Sequence, residues 1–199
     1  MEFEPHPVPD LDALDEAEQT REVYAWAGLA LYYAQVFEQG MIHTVYAGQI
    51  VNGTITAEFN TADAFRRVVD SQTAGTILKR LKQHVTLDTE SDDMCAEALR
   101  LRNFLAHHFF SDRSELFFSQ QGRRLMLEEL RAMTQVFGQV DRHLQAVMID
   151  MHERVGLRRE TFDKVFQAMK TAAETGGQLS DEAIDEIMRE AHPTWTRDS

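Results

Sequence analysis

The sequence predicts an all-α protein, an antiparallel bundle of four to five helices with extra C-terminal helices. Apolar residues recur at helical spacing along most of the 199 residues, and only 4 prolines and 10 glycines interrupt the chain. The connections between the periodic segments are short, and only residues 49–59 have a strand-like composition. Several amphipathic helices joined by short connections are typical of a helical bundle.

The chain is predicted to consist of three parts. Residues 1–10 hold three of the four prolines, which exclude a helix there, and are expected to form a flexible N-terminal tail. Residues 11–153 are expected to form the helical bundle, and residues 154–199 a C-terminal helical extension. A length of 199 residues suits one domain with such appendages.

Two long helices carry the clearest patterns. The first has apolar residues every three or four positions from Val23 to Phe37. It either ends at Gly40 or continues through this glycine toward the turn signal at residues 52–53. The second starts after Ser119, a residue suited to cap a helix, and has a continuous apolar seam from Met126 to Met151. Such a seam predicts packing in a core or in a dimer.

Shorter helices are expected elsewhere. The stretch 49–59 is interpreted as a helical continuation or an ordered loop, because a lone hairpin is marginally stable in water. Gly176 and Gly177 are expected to form a turn between the last two helices. The shorter helices are predicted from Thr61 through Val68, after Thr73 or Thr76, from Ser91 to about Ser111, near 159–174 and near 180–191.

Acidic residues concentrate at the two ends of the chain. The formal net charge is −13, of which residues 1–22 contribute −7 (eight acids, one base) and residues 174–192 contribute −5 (six acids, one base). Residues 23–173 hold 18 acids and 17 bases, so the body of the chain is nearly neutral. The total charge therefore does not exclude a nucleic-acid partner.

The cysteine content and the apolar runs predict the compartment. The single cysteine, Cys95, has no partner within the chain for a disulfide, and the N-terminus lacks the basic and apolar pattern of a signal peptide. The most apolar run, residues 24–37, is shorter than the roughly 20 residues of a membrane span. A cytoplasmic protein without a membrane partner is expected.

The most informative stretch is Leu101 to Phe110, LRNFLAHHFF, because three polar residues interrupt an otherwise apolar helix. Asn103 and His107 lie one helical turn apart on the same face, and Arg100 lies two turns before His107, so these three are expected to cluster. Arg102 is about 140° from His107 around the helix, and its side chain must reach around to act with it.

These residue types suit the chemistry of a phosphodiester. A histidine that titrates near neutral pH can move the proton of an attacking hydroxyl, and an arginine can hold the phosphate and its transition-state charge. The 2′-hydroxyl of RNA supplies its own nucleophile, so this reaction needs no metal or other cofactor. Asn103 can orient the imidazole or bind a phosphate oxygen.

Arg102 to His107, on a long helix of a small bundle, resembles the Arg-x4-6-His motif of the HEPN superfamily. Many HEPN proteins are metal-independent endoribonucleases of toxin and defence systems, in which a homodimer brings two motifs into one cleft. The resemblance covers about residues 12–153 and implies that Arg102 and His107 are the catalytic pair, with Asn103 as the polar residue after the arginine. It further implies an RNA substrate and an inhibitory protein partner.

Several basic residues are candidates for contacting RNA phosphates near the motif. The alternative is a charged, solvated surface. The candidates are Arg100, His108, Arg113, Lys79, Arg80 and Lys82.

Two other interpretations stay open. Arg102 can pair with an acid on a neighbouring helix while His107 caps the helix or satisfies a buried backbone group, which would make the motif structural. The chain would then be a non-catalytic module that binds a protein partner through its acidic ends and its seam. No metal site is expected, because the eight histidines show no metal-ligand spacing and adjacent His107 and His108 diverge by about 100° on a helix.

Overall fold

The computed structural model describes residue 7 and residues 9–52, 73–154, 156 and 159–191, and every regular element in these ranges is helical. This confirms the all-α prediction for those ranges. Two short 3-10 helices, Leu11–Ala13 and Ser114–Phe118, accompany the α-helices. The α-helices are α1 (Glu16–Val51), α2 (Ala74–His84), α3 (Thr89–His107), α4 (Phe109–Asp112), α5 (Gln120–Arg154), α6 (Arg159–Glu174) and α7 (Asp181–Ala191).

Gly40 does not end the first helix, because α1 continues through it to Val51. A Cβ atom at Gly40 would lie 2.9 Å from Asp141 Oδ1 and 3.6 Å from a methyl of Leu144 on α5. The glycine therefore allows α5 to approach α1 closely. Residues 49–51 of the strand-like stretch belong to this helix, and residues 53–59 lie outside the described residues, as does the helix predicted from Thr61 through Val68.

Side-chain caps set the starts of the other helices. Thr73 caps α2 and Ser119 caps α5 as predicted, the latter accepting a hydrogen bond of 3.0 Å from the Gly122 N–H. Helix α3 begins at Thr89, before the predicted Ser91, because the Asp88 carboxylate accepts from the Ser91 N–H at 2.8 Å. Helices α6 and α7 have nearly the predicted bounds.

The helix that carries the motif is shorter than predicted. It ends at His107, since His108 leaves the helical conformation with φ −127° and ψ −27°, and α4 follows to Asp112. No glycine or proline marks this break. The helix is therefore interrupted directly after the motif histidine.

The described helices belong to two compact units, made of residues 1–41 with 86–144 and of residues 42–85 with 145–199. The first unit contains the motif and a core in which Phe37 and Phe137 stack, with ring centroids 6.4 Å apart. The α5 seam is buried there, as predicted for core packing. Its buried members in this unit are Met126, Leu130, Met133, Phe137, Val140 and Leu144.

In the first unit, a buried arginine of α5 links this helix to α1 and to the second 3-10 helix. The Arg123 side chain, 5% exposed, donates to Gln19 Oε1 at 3.0 Å and to the Phe117 carbonyl at 2.5 Å. Gln19 Nε2 in turn donates to the carbonyls of Leu11 and Leu14 at 2.8 and 2.9 Å. The first 3-10 helix is thus fixed to α1 through Gln19, and the second is fixed to α5 through Arg123.

In the second unit, a glycine of α1 again allows another helix to approach closely. A Cβ at Gly48 of α1 would lie 2.9 Å from the His84 carbonyl oxygen, and Asn52 Nδ2 donates to that oxygen at 2.9 Å. Helices α6 and α7 contact one another across a turn in which Gly176 has φ 76°, as expected for the glycine pair.

Replacing Gly122 with alanine is expected to destabilise the protein by about 1–3 kcal/mol, because an added Cβ would overlap the backbone of Leu116. The midpoint of urea unfolding measures this loss. Gly75→Ala in α2 is the matched control, since its nearest neighbour is 3.9 Å away and alanine favours a helix. Equal stabilities of the two variants would contradict the packing of residues 114–118 on α5.

Candidate functional site

The motif occupies the last two turns of α3, at the surface of the first unit. Leu105 is buried and Phe104 half-buried, so the apolar face of the helix is directed to the core. Asn103 and His107 are exposed, and Arg102 is half-buried between these two faces. The helix therefore presents an amide and an imidazole to solvent one turn apart, as their spacing predicts.

Arg102 is held by two partners. Its Nε donates to Glu38 Oε1 of α1, and the two side chains are 29% and 21% exposed. Its Nη1 donates to Asn103 Oδ1 at 3.1 Å. The arginine thus pairs with an acid on another helix, as the structural interpretation expects, and is also linked to the next residue of the motif.

His107 has a different environment. Its side chain is exposed and its ring lies edge-on to that of His108, with centroids 6.4 Å apart. An exposed imidazole is not placed to satisfy a buried backbone group, but His107 lies in the last turn of α3, where a basic residue favours the helix end, so a capping role stays open. His108 is exposed too, and its main chain continues the local hydrogen bonding, with its carbonyl accepting from Ser111 Oγ at 2.9 Å.

Arg100 does not turn toward Asn103 and His107 as predicted. Its Nε and Nη2 donate to the Glu97 carboxylate at 2.8 and 2.6 Å, one turn earlier on the same helix. The hydrogen bonds from Arg100 lower the pKa of Glu97 below its ordinary value. The cluster predicted from spacing is therefore wrong for Arg100, because the nearby carboxylate competes for the guanidinium.

Arg113 also has a carboxylate partner. It donates to both oxygens of Glu129 at 2.8 Å, and its guanidinium carbon lies 5.3 Å from the centroid of the Phe104 ring. Forked arginine–carboxylate pairs are geometrically specific. Arg113 therefore joins the end of α4 to α5 and covers Phe104, behind the motif.

Three of the predicted RNA contacts lie in the second unit. Lys79 and Lys82 are exposed on α2, and Arg80 is half-buried there. Their approach to the motif stays a prediction.

The sequence did not identify two features beside the motif. Glu38 follows Tyr24 and Leu31 at seven-residue intervals on α1, a spacing that places them along one side of the helix. Tyr24 also contacts Phe110, three residues after His107, with centroids 5.6 Å apart. The seven-residue spacing on α1 indicates that Glu38 lies on the same side of the helix as Tyr24. The contact between Tyr24 and Phe110 has no such signal, because Phe110 follows the break after His107.

A second candidate catalytic pair is excluded by burial. Ser91 Oγ lies 2.6 Å from His143 Nε2 and also bonds Asp88, an arrangement of the residue types found in nucleophilic sites. Ser91 is only 2% exposed, however, so its hydroxyl lies within the first unit and serves the start of α3. The hydrogen bonds from Ser91 lower the pKa of Asp88, consistent with its role as the cap of α3.

The second unit contains a buried histidine with a strongly shifted pKa. His152 in the second unit is buried, and burial lowers its pKa to about 4. Among the described residues, no three His, Cys, Asp or Glu side chains come together as a metal site would need. In the same residues, no helix has the length and apolar character to cross a membrane.

Replacing Glu38 with glutamine is expected to destabilise the protein by about 1–2 kcal/mol, because Arg102 loses a charged hydrogen-bond partner in a half-buried position. Asp150→Asn is the control, since its ion pair with Arg154 is 60% and 66% exposed and exposed pairs contribute about 0–1 kcal/mol. Chemical unfolding measures both. An equal effect of the two substitutions would show that Glu38 does not anchor Arg102.

Comparison with protein-family models, curated proteins and solved structures gave no match to this chain.

Proposed function

We propose that this chain is a HEPN-like, metal-independent endoribonuclease that acts as a homodimer. The observation that carries the proposal is the surface made by Arg102, Asn103 and His107: an exposed imidazole one turn from an exposed amide, which is bonded to a half-buried arginine. His107 is the acid–base group, Arg102 holds the phosphate, and Asn103 fixes the arginine.

The reaction balances with these groups alone. His107 takes the proton of the RNA 2′-hydroxyl, and O2′ attacks phosphorus as the bond to O5′ breaks. The products are a 2′,3′-cyclic phosphate and a 5′-hydroxyl end. The leaving O5′ receives its proton from a protonated imidazole, supplied in the dimer by His107 of the partner subunit.

Arg102 keeps donors for the phosphate. A guanidinium has five N–H groups, and the contacts to Glu38 and Asn103 use its Nε and Nη1. These two contacts fix the orientation of the guanidinium, and the remaining N–H groups on Nη1 and Nη2 can donate to phosphate oxygens. A guanidinium prepositioned in this way stabilises developing charge without reorganising.

The test is incubation of the full chain with end-labelled RNAs of varied sequence in the presence of EDTA. The expected products carry 2′,3′-cyclic phosphate and 5′-hydroxyl ends. An RNA with a single 2′-deoxy substitution at the cleaved nucleotide is the control and is expected to stay intact. Absence of cleavage across all RNAs would overturn the catalytic proposal.

A second function, a non-catalytic module that binds a protein partner, is favoured by one observation. The Arg102–Glu38 ion pair is what a structural arginine would form. Under this alternative, cleavage is absent and substitution of His107 leaves partner binding unchanged. An inhibitory partner, expected of a toxic ribonuclease, would instead bind the motif surface and lose affinity when His107 is replaced.

A further inference from the structure

One side of α1 is exposed and carries no charge. Residues 23–37 contain no Asp, Glu, Lys, Arg or His. The solvent-exposed positions among them are Tyr24, Ala25, Gly28, Leu31, Tyr32 and Gln35, here called the α1 stripe. Tyr24 and Tyr32 are 58% and 59% exposed and Leu31 is 38% exposed. The stripe is roughly 20 Å long, and aromatic residues without charges are typical of the centre of a protein interface.

Gly28 lies at the centre of the stripe, and among the described residues no neighbour occupies the space of a side chain there. A Cβ atom at this position would meet no atom within 4 Å. Glycine inside a helix costs about 1 kcal/mol relative to alanine. At the other α1 glycines, Gly40 and Gly48, a neighbouring segment occupies the space of the missing side chain. At Gly28 the corresponding space is open, and a helix of another molecule can approach α1 there as closely.

Four positions of the stripe are arranged symmetrically about Gly28. Tyr24 and Tyr32 lie four residues before and after it, and Ala25 and Leu31 three residues before and after it. When two identical helices cross antiparallel at one residue on a twofold axis, each position before that residue meets the corresponding position after it. Tyr24 of each copy would therefore contact Tyr32 of the other, with the glycines closest together.

The absence of charge on the α1 stripe also favours a second copy of this chain as its partner. Two copies of a chain with a net charge of −13 repel one another, and an interface without charged residues lets them associate without placing like charges together. A basic partner would be recognised by acids and an RNA by bases, and the stripe has neither. We infer that the α1 stripe is a homodimer interface in which two α1 helices cross antiparallel at Gly28.

This inference extends the proposed function by naming the surface that brings two motifs together, and in that respect it rests on the proposal. Two contacts join α1 to the segment that carries His107, one between Arg102 and Glu38 and one between Phe110 and Tyr24. Gly28 lies between the two contact points on α1, and His107 lies between the two on the other segment. The segment that carries His107 therefore runs alongside the part of α1 that holds the stripe. The interface itself is argued from the α1 stripe alone.

Disulfide cross-linking tests the crossing geometry. A residue on a twofold axis lies beside its own copy, so Gly28→Cys is expected to give a covalent dimer on mild oxidation, which needs Cα atoms within about 7 Å. Tyr24→Cys faces Tyr32 of the other copy and is expected not to cross-link with itself. Gly75→Cys, at an exposed glycine of α2, is the control, and the native Cys95 is buried and does not compete.

Sedimentation of the unmodified chain and of two variants tests the interface without oxidation. The native chain is expected to be a dimer, and Gly28→Leu and Tyr32→Glu are expected to raise the dissociation constant about 30-fold or more, as for central interface residues. Phe166→Glu, at a 54% exposed phenylalanine of α6, is the matched control and is expected to leave the dimer intact. Circular dichroism of each variant verifies folding.

The outcomes separate the two proposals. A monomeric native chain, a dimer that the variants leave intact, or cross-linking through Tyr24→Cys would overturn the interface. Dimer dissociation by the variants, with no RNA cleavage by the native dimer, would support the interface and contradict the ribonuclease.

Discussion

The His107→Ala variant is expected to cleave RNA about 10²- to 10⁴-fold more slowly than the native chain, the usual contribution of a positioned acid–base group. The imidazole is exposed at the end of α3 and contacts the ring of His108 rather than the core. Its removal therefore leaves the fold intact and changes the chemistry. Initial rates on one RNA at saturating concentration measure the loss in kcat.

Two comparisons distinguish a chemical role from a structural one. Asp93→Ala, an exposed change on the same helix, is expected to leave the rate unchanged. Imidazole added to the buffer is expected to restore part of the activity of His107→Ala, since a free base can replace the missing one. Equal rates for the native chain and His107→Ala would remove His107 from the mechanism.

The Phe137→Ala variant is expected to lose about 3–5 kcal/mol of stability, the typical cost of removing a buried phenylalanine side chain. Phe137 is 0% exposed and stacks on Phe37, also 0% exposed, between α5 and α1. The alanine would leave a cavity that the two long helices cannot close. Urea unfolding followed by circular dichroism measures the change in free energy.

Phe166→Ala is the control for this loss. Phe166 is 54% exposed on α6, and exposed substitutions usually change stability by less than about 0.5 kcal/mol. A loss at Phe137 no larger than at Phe166 would contradict the packing of α5 on α1.

Periodicity was sufficient to predict the helices, because burial of one face is a local property of the sequence. The α5 seam and the caps Thr73 and Ser119 are examples, and each depends on residues within a few turns. Periodicity does not decide whether α1 continues through Gly40. The continuation depends on close contact with Asp141 and Leu144, about a hundred residues later in the chain. Contacts between distant segments leave no periodic signal.

The motif was predictable as a set of residues but only partly as a geometry. Spacing placed Asn103 and His107 on one exposed face, and this is confirmed. Spacing indicated that Arg102 points away from His107, and the structure shows that it reaches Glu38 and Asn103. Spacing does not predict the partner of Arg100, because Glu97, one turn earlier, and the motif residues are equally within reach of its long side chain.

The anchoring of residues 11–14 determines where the acidic N-terminus can be cut. Leu11 is fully buried, Leu14 accepts from Gln19, and the Asp12 carboxylate accepts from Gln120 at 2.5 Å and from Arg124 at 3.1 Å. A protease that trims the chain up to Asp10 would leave these contacts in place. Removal of residues 11–14 would expose the hydrogen-bonding groups of Gln19 and Arg123, so the stability of the first unit depends on the first 3-10 helix.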